Sequence, residues 1–444
     1  MTLPPSRNPL RAVLDIRREE LPASLLMFVY FFLVITTFWI LKPIKKSVFI
    51  QFYDESSFEL LGILLKASQA ELVAKVLNMV VAFGAVVLFT QMARKLVRQQ
   101  LTLAFSAMFS LGFVLYALLL PTAGPFTVWS FYLFGDLYST VMVATFFAFL
   151  NDAMKPEAAR RLYGLIVLGG VAGGVFGSSF VRAWINTLST AAWLWVSLGI
   201  ALLIALAAWA AGRLVNNPPE QASAAPTAVA TERGESPAVE GAKLVFRSPY
   251  LLSIVALVGL YEIVSTILDF QFTTTIAYYL DGDAIGEQLS TVFAITNWTS
   301  LFVQVFLTGF VMSRLRLTVA LAILPVAVLA GSSAFLLAPV LWVGCSLNTV
   351  DNALSYSVNQ SAREALYTPT SRDEKYKAKA FIDMFVQRFA KAVAVGVSLL
   401  VTMLFQDFST LRWLSLFAIA ITVVWLFAAR YAGRHFHRLT DPGR

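Results

Sequence analysis

Twelve stretches of roughly twenty apolar residues recur along this chain, and they constrain its fold more than any other feature. They lie near 24–42, 72–93, 100–121, 126–150, 162–185 and 190–212, and again near 250–271, 288–312, 317–337, 340–361, 378–405 and 410–431. About 20 apolar residues in a helix span the hydrocarbon of a bilayer. In that medium every backbone N–H and C=O must bond within its own segment, so runs of this length read as helices. Of the 444 residues, 58% are hydrophobic and 14% are charged, and the mean hydropathy is +0.72. Soluble domains hold about 45–50% apolar and about 25% charged residues. The composition therefore excludes a soluble enzyme, a disordered chain and a secreted disulfide scaffold. The expectation is an all-α polytopic membrane protein with twelve transmembrane helices.

The runs divide six and six. Between the sets, Asn216 to Glu240 is rich in Pro, Ala, Ser, Thr and Glu and reads as a flexible linker. The expected organisation is a cytosolic amphipathic N-terminus over 1–23, a six-helix half over 24–213 and a linker over 214–247. A second six-helix half over 248–431 and a cytosolic tail over 432–444 complete it. In the N-terminus, Asn8-Pro9 reads as a helix cap, with Leu10, Val13 and Leu14 on one face of a helix lying on the membrane. The run that follows is too long for the core of a cleavable signal peptide.

The net charge of +8 would suggest nucleic acid in a soluble protein; here its placement argues against that partner. With both termini in the cytoplasm, all but nine of the 34 Lys and Arg residues fall in cytoplasmic segments, as the positive-inside rule requires. The outer connections 121–125 and 338–339 carry no base, and 281–287 is acidic. This places the chain in the cell inner membrane. Two six-helix halves joined by a long central linker resemble the major facilitator superfamily, whose halves are parallel repeats. Glu157-Ala-Ala-Arg-Arg161 before the fifth run resembles Glu374-Lys-Tyr-Lys-Ala-Lys379 before the eleventh, and Asp136 in the fourth is matched by Asp351 in the tenth.

The nine remaining bases are Lys42, Lys45, Lys46, Lys66, Lys75, Arg182, Arg388, Lys391 and Arg412. Lys66 and Arg412 sit at outer edges, where long side chains snorkel. A Lys or Arg at the centre of a bilayer costs about 2.5–3.5 kcal/mol even on the mild insertion scale, so each of the other seven needs a partner or a water-filled cavity. Lys42, Lys45 and Lys46 share a helix face, with Pro43 between them, and Arg388 and Lys391 share another. Clustered like charges repel, so an anion is their natural ligand. A di- or triphosphate suits one cluster from each half. The acids of the same layer, Asp136, Glu262, Asp269, Asp351 and Asp383, read as coupling or gating groups. Pairing that holds helices together is the simpler account for Asp383 with Arg388, for Arg182 and for Lys75.

Tyr132, Tyr138 and Tyr261 lie near these acids and are candidates to stack on a base. Asn297, Asn348 and Asn352, with Gln304 and Asn359, are candidates for base or sugar contacts, against an ordinary interhelical role. Gly169-Gly170-Val-Ala-Gly-Gly174 with Gly177 has no preceding strand and no Gly-Lys-Ser/Thr, so it reads as a close-packing helix face rather than a phosphate loop. Cys345 is the one cysteine and sits in an apolar run. No nucleophile stands beside a base, and no metal-ligand or cofactor motif is present; we expect neither catalysis, nor a metal, nor a cofactor.

Several stretches resemble the plastid- and bacterial-type ATP/ADP translocase family. They are Arg18-Glu-Glu-Leu-Pro22, Leu41-Lys-Pro-Ile-Lys-Lys46, Asp136-Leu-Tyr-Ser-Thr140 and Glu157-Ala-Ala-Arg-Arg-Leu-Tyr163. A longer match runs from Tyr356 through Arg363-Glu-Ala-Leu-Tyr-Thr-Pro369 and Lys377-Ala-Lys-Ala-Phe-Ile-Asp383 to Lys391. The resemblance implies exchange of adenine nucleotides, with two intramembrane lysines and two acids that correspond to Lys45, Lys391, Asp136 and either Glu262 or Asp269. Pro43 and Lys46 stand where that family has acids, and Asp136 replaces a longer glutamate, so this site is the more cationic. The expected function is a monomeric carrier exchanging nucleotides, or a related multiply anionic phosphorylated solute, by alternating access. The alternatives are a proton-coupled transporter using Asp136, Glu262 or Asp269, and a non-transporting protein that binds acidic lipid through Lys42, Lys45 and Lys46. Exchange is expected because the membrane potential opposes entry of an unaccompanied anion, and because empty cationic clusters repel.

Overall fold

The apolar runs fold as helices in the computed structural model, which describes residues 21–55, 58–60, 62–153, 156–214, 237–371, 378–379, 381–404 and 408–440. In chain order these are α1 (Leu21–Glu55), α2 (Ala67–Lys95), α3 (Arg98–Leu119), α4 (Pro125–Ala153), α5 (Pro156–Trp184) and α6 (Thr190–Leu214). The second set is α7 (Pro237–Arg247), α8 (Pro249–Tyr279), α9 (Asp283–Arg314), α10 (Leu317–Leu337), α11, α12 and α13 (Arg412–Thr440). Helix α11 runs from Leu341–Leu354 through a π segment, Ser355–Asn359, to Gln360–Leu366. Helix α12 enters through a π segment, Ile382–Val386, and continues as Gln387–Leu404. Among the described residues eleven helices are long and apolar enough to cross a membrane; α11, divided by its π segment and carrying Asn348, Asp351, Asn352 and Asn359, is the twelfth long helical element.

Local chemistry sets the boundaries. Proline stands at the first position of α4, α5 and α8, where its missing N–H is no loss. Ser248 caps α8, its hydroxyl accepting from the Leu251 amide at 3.3 Å. Between α1 and α2 a short antiparallel hairpin pairs Phe58–Leu60 with Ile63–Leu65, turning on Gly62 at φ 82°. The sequence reading had no hairpin there, because three-residue strands leave almost no periodic signal. It also ended the first span near residue 42, whereas α1 runs on through Pro43 to Glu55, burying Ile44, Phe49, Ile50 and Tyr53. Lys45 and Lys46 lower the hydropathy there without breaking the helix. Helix α7 falls within the segment 214–247 read as flexible; the rest of that linker, and residues 1–20 of the expected surface helix, lie outside the described residues.

The chain forms two compact units: Met1–Lys46 with Val80–Ala225, and Ser47–Met79 with Pro226–Arg444. The halves read from the sequence, 24–213 and 248–431, assigned 47–79 to the first; in the structure this stretch belongs to the second unit, where Gln69 donates to Thr402 at 3.0 Å. In the first unit, Gly169, Gly173 and Gly177 of α5 face the carbonyl oxygens of Phe28, Phe32 and Thr36 of α1, one helical turn apart on each helix. A Cβ at Gly169 would lie 2.5 Å from the Phe28 oxygen and one at Gly177 2.7 Å from that of Thr36. The glycine run is therefore the close-packing face expected of it. Phe31 packs on Gly170, and its ring stacks on Phe146 at 4.3 Å; Tyr30, Phe109 and Trp193 are also buried in this unit. The second unit's core holds Ile254, Val258, Phe270, Leu324, Val328 and Trp425. Cys345 is buried there, its sulfur accepting from Gln288 at 3.3 Å. Val80, Phe83, Leu111, Phe126, Leu202, Phe302 and Phe306 are exposed, a surface suited to lipid tails rather than water.

Candidate functional site

Each unit carries its own set of charged side chains on helices otherwise built of apolar residues. In the first, the Lys45 ammonium pairs with the Asp136 carboxylate. The same ammonium stands 4.4 Å from the centre of the Tyr132 ring, one turn before Asp136 on α4, so a carboxylate and a π face hold the cation together. Gly135 makes room for it: a Cβ there would lie 2.7 Å from the Lys45 side chain. Lys45 and Lys46 are both 5% exposed. Lys42 lies over the Trp39 ring at 4.5 Å and the Phe38 ring at 5.8 Å. The triplet is thus a set of individually accommodated cations inside the unit. It does not form the open basic face an acidic-lipid surface would need, which counts against that alternative.

In the second unit α8 is the organising element. Glu262, Ser265 and Asp269 recur at helical spacing along one side of it. Glu262 pairs with Lys391 of α12 at 3.5 Å. Asp269 pairs with Lys75, which also meets Glu71, one turn earlier on α2, at 3.3 Å. Asp351 of α11 is 1% exposed and accepts from the Ser265 hydroxyl at 2.7 Å, while its other carboxylate oxygen is buried with no hydrogen-bond partner. Glu262 and Asp269 lie close enough to act on it electrostatically. Four acids, Glu71, Glu262, Asp269 and Asp351, thus share the neighbourhood with two lysines, and Arg388 stands about one turn before Lys391 on α12. The π segments Ser355–Asn359 and Ile382–Val386, widened turns that often mark functional positions, carry Tyr356, Asn359 and Asp383.

The expected pairing of Asp383 with Arg388 is not formed among the described residues. The two are five positions apart across the end of a π segment, and the Asp383 carboxylate accepts from Gln387 at 3.3 Å. Lys75 is a paired structural cation, as expected. Asn297 donates to the Phe293 carbonyl and Asn352 to the Asn348 carbonyl, so both bond within their own helices rather than between helices. Asn348 is 2% exposed. Tyr138 is enclosed with its ring against Phe109 and Phe113, and Tyr261 rests against Trp425. The sequence reading passed over Glu71, buried to 1% exposure. The Glu71–Lys75 spacing of one helical turn was the available signal.

Helical units built this way, apolar outside and with ion pairs set among the helices, define a multi-pass membrane protein. Solved transporters share the fold. A bacterial homologue of the human lysosomal transporter Spinster aligns over 96% of this chain and 99% of its own, with TM-score 0.60 and 13% identity. The nucleoside transporter NupG aligns over 96% and 100%, with TM-score 0.60 and 13% identity. The major facilitator superfamily transporter FucP aligns over 94% and 99%, with TM-score 0.51 and 15% identity. The family model described as TLC ATP/ADP transporter matches residues 120–341 and 329–436, more than half of the sequence, and the chain belongs to that family. Among curated relatives it is 23% identical to ADP,ATP carrier protein 1, chloroplastic, of Arabidopsis thaliana, over 86% of this chain and 70% of that one. It is 24% identical to ADP,ATP carrier protein 1 of Chlamydia muridarum, over 69% of this chain and 65% of that one. The chain thus spans about two thirds of the length of these relatives.

Proposed function

We propose that this protein exchanges nucleotides of the ATP/ADP type, or a closely related multiply phosphorylated anion, across a bacterial inner membrane as a monomer with both termini in the cytoplasm. The observation that carries the reading is the sorting of the family positions. Lys45 meets Asp136 in the first unit and Lys391 meets Glu262 in the second, so each unit offers one lysine already matched to a carboxylate. Asp269 is engaged by Lys75 instead, which favours Glu262 as the counterpart of the family's second glutamate. The pairs solve the problem of holding a cation in a membrane between turnovers. A phosphate group competes for the ammonium, and the carboxylate becomes the group that takes the lysine back on release. Arg388, beside Lys391, adds a second cation for a longer phosphate chain.

This pairing changes the energetic case for exchange. Lysines neutralised by acids no longer repel in the empty carrier, so repulsion is not what couples the two directions. The electrical cost remains. Moving one charge against the membrane potential takes about 2.3 kcal/mol per 100 mV, so three or four net negative charges face roughly 7–9 kcal/mol when entering a negative interior. A counter-anion leaving on the same carrier offsets most of that. The gathering of Glu71, Glu262, Asp269 and Asp351 around α8, with a partnerless oxygen on Asp351, favours proton coupling as the second reading. One measurement separates them. Labelled ATP should enter reconstituted vesicles loaded with ADP, fail to enter empty ones, and ignore an imposed pH gradient. Uptake into empty vesicles driven by that gradient overturns exchange in favour of the proton-coupled carrier.

A further inference from the structure

A second anion site of a different kind lies in the second unit, where the start of α10 meets the end of α13. A pocket of about 950 Å³ opens there, and Arg316, Arg430, Arg434 and Arg438 all line it. The last three recur every four residues, so they stand in a row on one face of α13. Arg316 is the residue from which α10 starts. No lining residue is acidic, and among the described residues none of the four guanidinium groups has an acidic partner. The Nε2 atom of His437, also on the pocket wall, is buried without a hydrogen-bond partner. Four cations around one cavity whose wall holds no acid repel one another and call for an anion. Arginine, with its planar fork of donors, is the side chain best shaped to hold a phosphate on two oxygens.

The rest of the wall says which kind of phosphate. Thr318, Val319, Ala322, Leu426 and Phe427 complete the lining, and Val319 and Phe427 are 46% and 69% exposed, within helices apolar enough to cross a membrane. Where α10 and α13 approach, Gly433 stands against Thr318, leaving no room for a Cβ and fixing the helix spacing. A basic rim above an exposed apolar wall matches an amphiphile, whose acyl chains would cover Val319, Ala322 and Leu426 as well as Phe427. We propose that this pocket binds the phosphate headgroup of an anionic phospholipid whose acyl chains lie along α10 and α13. Lys391, Glu262 and the other membrane ion pairs take no part in its lining, so the site stands or falls independently of the transport reading.

The test is thermal unfolding of the full-length purified chain in non-ionic detergent, followed by tryptophan fluorescence, with phosphatidylglycerol, phosphatidylcholine or inorganic pyrophosphate titrated in. Phosphatidylglycerol should raise the midpoint, and the other two should not. One basic residue near an anionic lipid surface contributes about fivefold in affinity. Arg434→Gln should therefore raise the half-saturating phosphatidylglycerol concentration about fivefold, and Arg430→Gln with Arg434→Gln about 25-fold. Arg412→Gln, at the opposite end of α13, should respond like the native chain. If the double variant does not fold, single Arg434→Gln and Arg438→Gln proteins in a direct binding measurement with spin-labelled phosphatidylglycerol give the same comparison. Equal responses of native and variant chains, or of the two lipids, overturn the proposal. A pyrophosphate response that disappears in the same variants overturns the lipid and assigns a soluble phosphate instead.

Discussion

At the scale of single residues, the central distinction is between the lysines proposed to hold substrate and a lysine placed to hold helices. Lys45 and Lys391 each face one carboxylate, whereas Lys75 faces two, Glu71 and Asp269. A phosphate must displace one acid to reach either of the first pair and two to reach Lys75. Lys45→Gln and Lys391→Gln should therefore weaken ATP binding about tenfold or more, one lost charge-assisted hydrogen bond being about 1.5–3 kcal/mol. Lys75→Gln and Arg182→Gln should act mainly on stability. Binding to purified variants, read beside their melting temperatures, decides it; parallel losses in all four would remove the distinction. Removing the acid instead has a different signature. Asp136→Asn leaves the Lys45 ammonium, 5% exposed, without its counter-charge, and breaking a buried pair from one side costs roughly 3–5 kcal/mol. Because the Asp136 side chain is 25% exposed, the loss should fall at the lower end. Lys45→Gln with Asp136→Asn together should recover most of that stability but not transport. A double variant no more stable than Asp136→Asn would show the pair to be incidental.

At the scale of elements, the α1–α5 contact leaves little tolerance for a larger side chain. Three glycines on α5 meet three carbonyl oxygens on α1 with no space for a methyl group. Gly169→Ala and Gly173→Ala should each force the helices apart, and overpacking of this kind costs about 1–3 kcal/mol. Gly199→Ala, on α6, has nothing within 4 Å of the new atom and should leave stability unchanged or slightly raised, since alanine is the better helix former. Thermal unfolding of the three proteins gives the ranking, and equal midpoints would show that α1 and α5 yield more easily than their spacing implies. The contact matters for function because α1 carries Lys45: widening it shifts that ammonium relative to Asp136 on α4.

At the scale of the whole molecule, the charge distribution makes a prediction about sides. A cysteine introduced in the 216–240 linker should react with an impermeant reagent only from the cytoplasm, and one at 281–287 only from outside. The native Cys345 is buried, so it adds little background, and Cys345→Ser removes what remains. The opposite labelling pattern would invert the expected topology.

The long apolar helices and their order were legible in the sequence because burial in hydrocarbon obeys a one-dimensional rule: about twenty apolar residues, whatever their neighbours. The glycine face of α5 was legible for a related reason, since the spacing of small residues along one helix already describes its packing surface. The sequence alone also required partners for seven bases within the apolar runs or against them, from the cost of a charge in the membrane. It did not determine which partners. Lys45 and Asp136 are 91 residues apart, and Lys75 and Asp269 are 194 apart. Several acids satisfied the same need equally well on paper. The choice of Glu262 over Asp269 for Lys391, the hairpin after α1, the place of residues 47–79 and the gathering of four arginines from two helices depend on which helix faces meet. Only tertiary packing decides that, because an ion pair is specified by distance in space, and the hydropathy of a segment carries no information about its neighbours.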